Sequence, residues 1–166
     1  MGFPIWRYSV DKETENNHEK PPKKIILGTI KEQAGAGSIQ KFTQFASDLA
    51  RRQGYSEERI VEIENTFKEA LTNIVNYAFR EVSGDIEILC SLDRAERIVF
   101  KIIDWGKPFN MLLASDPLFK EEFAEEGIPQ PSARLIKKLA DTTEYQHMED
   151  MNRLLLTFSK VLRGGK

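Results

Sequence analysis

Glu69-Ala-Leu-Thr-Asn73-Ile-Val-Asn76-Tyr-Ala-Phe79 lies late in the longest helical pattern of the chain. At about 100° per residue, Ile60, Ile63, Phe67, Leu71, Ile74 and Ala78 fall in one apolar stripe, the mark of a helix lying on a core. Glu69, Asn73 and Asn76 fall opposite it, spaced i, i+4, i+7, so their side chains stack along one edge. A solvated helix face accounts for such an edge. Asparagine is a mediocre interior helix residue, however, because its amide competes for backbone hydrogen bonds. A carboxylate with amides one turn away can supply a base and an oxygen ligand for a hard cation.

Composition narrows the field. The 166 residues suffice for one domain with a proper core and are short for two. A formal charge of −2 offers no basic field for nucleic acid or an anionic membrane, and no apolar run is long enough to span a bilayer. One cysteine, Cys90, excludes an internal disulfide framework and reads as a buried thiol, so a reducing, cytoplasmic setting is expected. His18 and His147 are far apart and lack cysteine companions, so the usual zinc spacing is absent.

The remaining elements follow in order. Residues 1–22 are a charged segment ending in Pro21-Pro22, expected to be a flexible arm unless Trp6 docks, and residues 23–163 form the domain. Lys23–Ile30 reads as a strand and Ala34-Gly-Ala-Gly37 as a plain turn, without the third glycine of a dinucleotide fingerprint or the lysine of a phosphate loop. Ser38 is the expected N-cap of a helix reaching Gly54, and Ser56 that of the long helix, which should run to about Val82. Ile86–Leu92 and Arg97–Ile103 read as a hairpin delivering Asp104 onto the glycine turn Asp104-Trp-Gly106-Lys-Pro108-Phe109. A turn built by Asp and Gly needs no ligand to explain it. Met111–Pro131 is acidic and punctuated by proline, long enough to be a lid, and a short helix (Ser132–Ala140) and a closing hairpin (Thr143–His147, Arg153–Leu162) complete the chain.

Glu69-x-x-x-Asn73 on the long helix, Asp104-x-Gly106-x-Pro108-Phe109 after a strand, the lid with Gly127, Leu139-Ala-Asp141 and Asn152-Arg-Leu-x-Leu-Thr together resemble the anti-sigma factor serine-protein kinases of the GHKL (Bergerat-fold) ATPase superfamily, the SpoIIAB and RsbW group. The resemblance covers roughly residues 23–162. It implies an α+β two-layer sandwich: a mixed, mostly antiparallel sheet with about three helices on one face. It implies Glu69 as general base, Asn73 as the Mg²⁺ ligand, Asp104 accepting the adenine amino group and Gly106 giving the purine backbone access. Asn76, Pro108, Phe109, Gly127, Ser132 and Arg134 are then expected around ATP.

The implied partners are a sigma factor and a STAS-domain anti-anti-sigma protein, within a homodimer, and the implied activity is serine/threonine-protein kinase. Two positions depart from the family pattern. Tyr77 stands where histidine is frequent. Gln130-Pro131-Ser132 stands where a Gly-x-Gly wraps phosphate with backbone amides, and proline has no N–H to give. Gly127, Arg134 or Lys107 would have to compensate. The alternative is a nucleotide-poor module of the same fold that switches partners by contact alone.

Overall fold

The computed structural model describes residues 24–122, 127 and 130–164. The expected N-terminal arm therefore lies outside the described residues. Five strands form one sheet in the order β1-β2-β3-β5-β4: β1 (Ile25–Gln33), β2 (Asp85–Leu92), β3 (Ile98–Asp104), β4 (Thr142–Met148) and β5 (Met151–Phe158). Every neighbouring pair is antiparallel, where a mixed sheet was expected.

Alternation decides which face is covered. In β3 the residues Ile98, Phe100, Ile102 and Asp104 are all buried, and in register beside them in β5 so are Phe158, Leu156, Leu154 and Asn152. In the opposite rows Val99, Ile103 and Leu155 are only half-buried. Two helices cover the inner face, α1 (Ala36–Arg52) and α2 (Glu57–Asn73), and α2 continues through one wide π turn, Ile74–Ala78. The whole expected stripe from Ile60 to Ala78 is buried. Phe67 of α2 meets Phe100 edge-on at 4.7 Å, and Phe100 meets Phe158 at 6.0 Å, an aromatic row across the layer boundary.

Boundaries moved for local reasons. Ser56 caps α2 as expected, accepting Arg59 N–H at 3.2 Å. Ser38 is instead the third residue of α1, and its hydroxyl reaches back to bond both the N–H and the carbonyl of Gly35, which is the cap. The long helix stops at Ala78 because the Ala78 carbonyl accepts Lys107 N–H from the β3 turn at 2.8 Å. The lid, read from sequence as a loop, holds among its described residues a 3₁₀ turn, Met111–Leu113, and a short helix α3 (Pro117–Glu122) none of whose residues is buried. The helix after the lid, α4, is Arg134–Leu139.

One buried charge ties these elements together. Arg59 is fully buried and donates to Glu62 Oε2 (2.6 Å), Asp141 Oδ2 (2.7 Å), the Leu139 carbonyl (2.7 Å) and the Ser159 carbonyl (2.9 Å). The guanidinium therefore pins the start of α2 to the end of α4 and the end of β5, with its charge shared by two carboxylates. Burial pushes the Glu62 carboxyl up, but Arg59 and the N–H groups of Gly164 and Arg163 outweigh it and hold it below its usual value.

Candidate functional site

Glu69 and Asn73 do face one small volume, and the lid comes to meet them there. Glu69 Oε1 accepts the N–H groups of Leu135 (2.9 Å) and Ile136 (3.0 Å), and its Oε2 accepts the Ser132 hydroxyl at 3.2 Å. A carboxylate from α2 thus satisfies two of the amides that a short helix leaves unpaired in its first turn. Asn73, only 4% exposed, donates Nδ2–H to the Ser132 carbonyl at 2.7 Å and accepts Ser132 N–H at 3.4 Å on Oδ1. Its Nδ2 also lies 3.7 Å from Met111 Sδ. The solvated-face reading is therefore wrong for Asn73. Asn76 is half-buried, and its side chain makes no hydrogen bond among the described residues.

A cavity of about 300 Å³ opens at this junction, lined by Lys68, Glu69, Thr72, Asn73, Gln130 and Ser132 among others. Neither Asp104 nor Gly106 lines it. Met111 packs on Asn73, and one turn further along the helix Tyr77 stacks on Phe109 of the turn after β3, rings 4.8 Å apart and 10° from parallel. Phe119 of α3 leans on the same Phe109 ring at 5.3 Å. Tyr77 does turn toward the core, as its place on the helix predicts. Pro108 is exposed beside this stack.

Asp104 ends β3, 3% exposed. Its Oδ1 accepts Gly106 N–H (3.0 Å) and Asn152 Nδ2–H (2.8 Å), and Oδ2 takes no hydrogen bond from the described residues. Burial pushes the Asp104 carboxyl up; the Asn152 and Gly106 donors pull it partly back. Gly106 could be nothing larger, since a Cβ there would stand 2.5 Å from the Ala78 carbonyl oxygen. The glycine is required by the close approach of turn and helix.

Asn152 is the residue that sequence reading quoted without assigning it a role. Its Nδ2 also donates to the carbonyls of Lys107 (3.0 Å) and Gly106 (3.3 Å), which can only accept and so fix the amide's orientation. Its Oδ1 takes the Tyr145 hydroxyl at 2.6 Å and lies 3.0 Å from His147 Nδ1, and Tyr145 in turn accepts Phe109 N–H. The whole turn after β3 is thus held by one amide from β5. A signal existed: Asn152 begins an otherwise apolar inward row, where a buried amide needs partners.

The other expected residues fall as follows. Ser132 is the hinge of the contact with Glu69 and Asn73. Arg134 is exposed on the far side of Ser132. Gly127 is exposed at φ +84, a left-handed conformation suited to glycine. Lys107 pairs with Glu81 and is committed there.

No group of three or more His, Cys, Asp or Glu that could hold a metal ion occurs among the described residues. Asn73 Oδ1 and Glu69 Oε2 are among the side-chain oxygens at the junction, with those of Thr72, Gln130 and Ser132. Such a set suits Mg²⁺ carried in with a phosphate ligand, since Mg²⁺ keeps several waters beside one or two protein contacts.

A family model described as a histidine kinase-like ATPase domain matches residues 33–158. Among solved structures, the chain is similar to the RsbU and RsbW domains of Rv1364c from Mycobacterium tuberculosis, at 15% identity and a TM-score of 0.54, over 78% of this chain and 32% of that one. That likeness shows the fold, and the chain spans 32% of the length of the protein it matches. A comparison with curated protein sequences finds no match.

Proposed function

The chain belongs to the histidine kinase-like ATPase family, and from that premise we propose that it is a cytoplasmic anti-sigma factor that binds ATP with Mg²⁺ and phosphorylates a serine or threonine of a STAS-domain partner. In this reading it holds a sigma factor while that partner is phosphorylated or absent, and it works as a homodimer. The single observation that supports it best is the convergence of Glu69 and Asn73 on Ser132 of the lid. A carboxylate and an amide oxygen beside one cavity are the groups that proton removal and a hard cation require.

Roles follow from the hydrogen bonds. Glu69 Oε1 is anchored by two amides, so the carboxylate is oriented. Oε2, held only by the Ser132 hydroxyl, is the oxygen that draws a proton from the attacking hydroxyl of the partner. Asn73 Oδ1 is the protein ligand for Mg²⁺, which when bound neutralises charge on the nucleotide phosphates. Asp104 Oδ2 accepts the adenine amino group, while Gly106 and Asn152 keep the carboxylate rigid from the other oxygen. The Tyr77–Phe109 stack offers the purine an aromatic neighbour beside that carboxylate.

A second reading, a nucleotide-poor partner-switching module, draws on Pro131 and on the lid amides already engaged by Glu69. Calorimetry and thermal melts with Mg-ATP separate the two. A ligand at 100 times its Kd adds about 2.7 kcal/mol to stability, and no heat or stabilisation at millimolar ATP favours the binding module. Labelled ATP with candidate STAS proteins then tests transfer. Background incorporation, equal for wild type and Glu69→Ala, removes the kinase.

A further inference from the structure

A second cavity, of about 170 Å³, lies on the other side of Ser132. Its wall is made of small residues and three cations: Lys120 from α3, and Arg134 and Lys137 one turn apart on α4. None of the three has a carboxylate partner among the described residues. Three like charges gathered around one hollow repel unless an anion sits among them. The volume is below the roughly 300 to 1,000 Å³ of a site that encloses a whole small molecule, which suits one compact, highly charged group.

Most backbone donors at this place are already in use, the N–H groups of Ser115 and Ala133 excepted. Pro131 has none, Ser132 N–H goes to Asn73, Arg134 N–H to Ser132 Oγ at 3.4 Å, and the Leu135 and Ile136 amides to Glu69. An anion held here is therefore met chiefly by the three cationic side chains. Because Ser132 also lines the Glu69 cavity, a group seated among the cations is one residue removed from the carboxylate.

We infer that Lys120, Arg134 and Lys137 form the subsite for the terminal phosphates of a nucleoside triphosphate, replacing the backbone-amide cradle that Gln130-Pro131-Ser132 cannot make. This rests on the nucleotide-binding reading above for the source of the phosphates, while the anion site itself does not. Two probes keep these apart: inorganic tripolyphosphate, which has the anion without adenine, and AMP, which has adenine without the terminal phosphates.

Titration calorimetry on the full chain, wild type against the Lys120→Gln/Arg134→Gln/Lys137→Gln variant, reads both. All three side chains are exposed, and matching melting curves establish that the variant folds. Wild type binds ATP more tightly than AMP and also binds tripolyphosphate. The variant loses about tenfold or more for ATP and tripolyphosphate, as expected for charged hydrogen bonds, and binds AMP as before. Added salt erodes the same advantage in wild type.

Wild type that ignores tripolyphosphate overturns the inference, and so does a variant that keeps the full ATP-over-AMP preference. Tripolyphosphate bound by wild type and lost in the variant, with ATP binding no better than tripolyphosphate and AMP not at all, keeps the anion site and removes the nucleotide from it.

Discussion

Glu69 anchors the lid, and the proposed function gives it a second, separable task, taking a proton; two substitutions at this one position pull them apart. Glu69→Ala strips the acceptor from Leu135 and Ile136 N–H, held at 2.9 and 3.0 Å, and from the Ser132 hydroxyl. Loss of a helix-capping acceptor costs about 0.5–2 kcal/mol, and Glu69 is only half-buried, so water recovers part of the loss. A cost of about 1–2 kcal/mol is expected.

For a chain of 166 residues each kcal/mol moves Tm by about 2–4 °C, so Glu69→Ala should melt about 2–8 °C lower. Glu69→Gln keeps a neutral oxygen for the same two amides and loses only the charge. That is worth about 0.3–1 kcal/mol beside a helix start, so its Tm falls by less than about 4 °C. Phosphotransfer behaves differently. Both variants lose the base, and both should fall about 10²–10⁴-fold. Scanning calorimetry and amide exchange at Leu135 and Ile136 read the first effect, and labelled ATP reads the second. Equal melting of Ala and Gln variants would show that the lid does not hang on this carboxylate. A Gln variant transferring phosphate at the wild-type rate would take the base away from Glu69.

Two further expectations follow from buried charge. Asp104→Asn keeps the Oδ1 acceptor for Gly106 and Asn152 and removes a carboxylate whose pKa burial has raised. A group with a raised folded pKa favours folding at pH below its usual range, and that contribution is lost as pH rises through the raised value. The variant should therefore gain stability relative to wild type between acid and neutral pH in parallel urea titrations, while losing discrimination between ATP and GTP. A relative stability that falls over that interval refutes the assignment of cause. Arg59→Ala leaves Glu62 and Asp141 facing a hole without their shared buried cation, although Arg163 and the amides of Ser159, Arg163 and Gly164 still support them, and costs about 3 kcal/mol. Urea unfolding showing a loss under about 1 kcal/mol would mean that the network binds nothing together.

The sheet and the long helix were legible in the sequence because their burial follows from period alone. Ile60 to Ala78 could lie on nothing but a core, and Ile98, Phe100 and Ile102 had to share a face. Glu69 and Asn73 were legible as a pair for the same reason, but not what they hold. The contact with Ser132 joins residues about sixty positions apart through a lid whose own pattern is weak, and no local rule reaches across that distance. The helix ends were missed where tertiary contacts decide them: the Ala78 carbonyl turns out to accept Lys107 N–H, and nothing in Tyr77-Ala-Phe79 announces it.

Arg59 shows the other limit. At i+3 from its cap it looks like an exposed first-turn cation, yet it is the largest fully buried side chain, because Asp141 and two carbonyls from later in the chain close over it. Its burial gives the lid helix α4 two fixed ends of different kinds. The C-terminal end is bound through a charge with no access to water, so opening there costs the desolvation already overcome in folding. The N-terminal end is bound by Glu69 and Asn73 through hydrogen bonds next to an open cavity, where water can replace them. Rearrangement of α4 on nucleotide binding should therefore start at Ser132 and fade toward Leu139, with amide exchange at Leu135 changing while the Arg59 end stays protected.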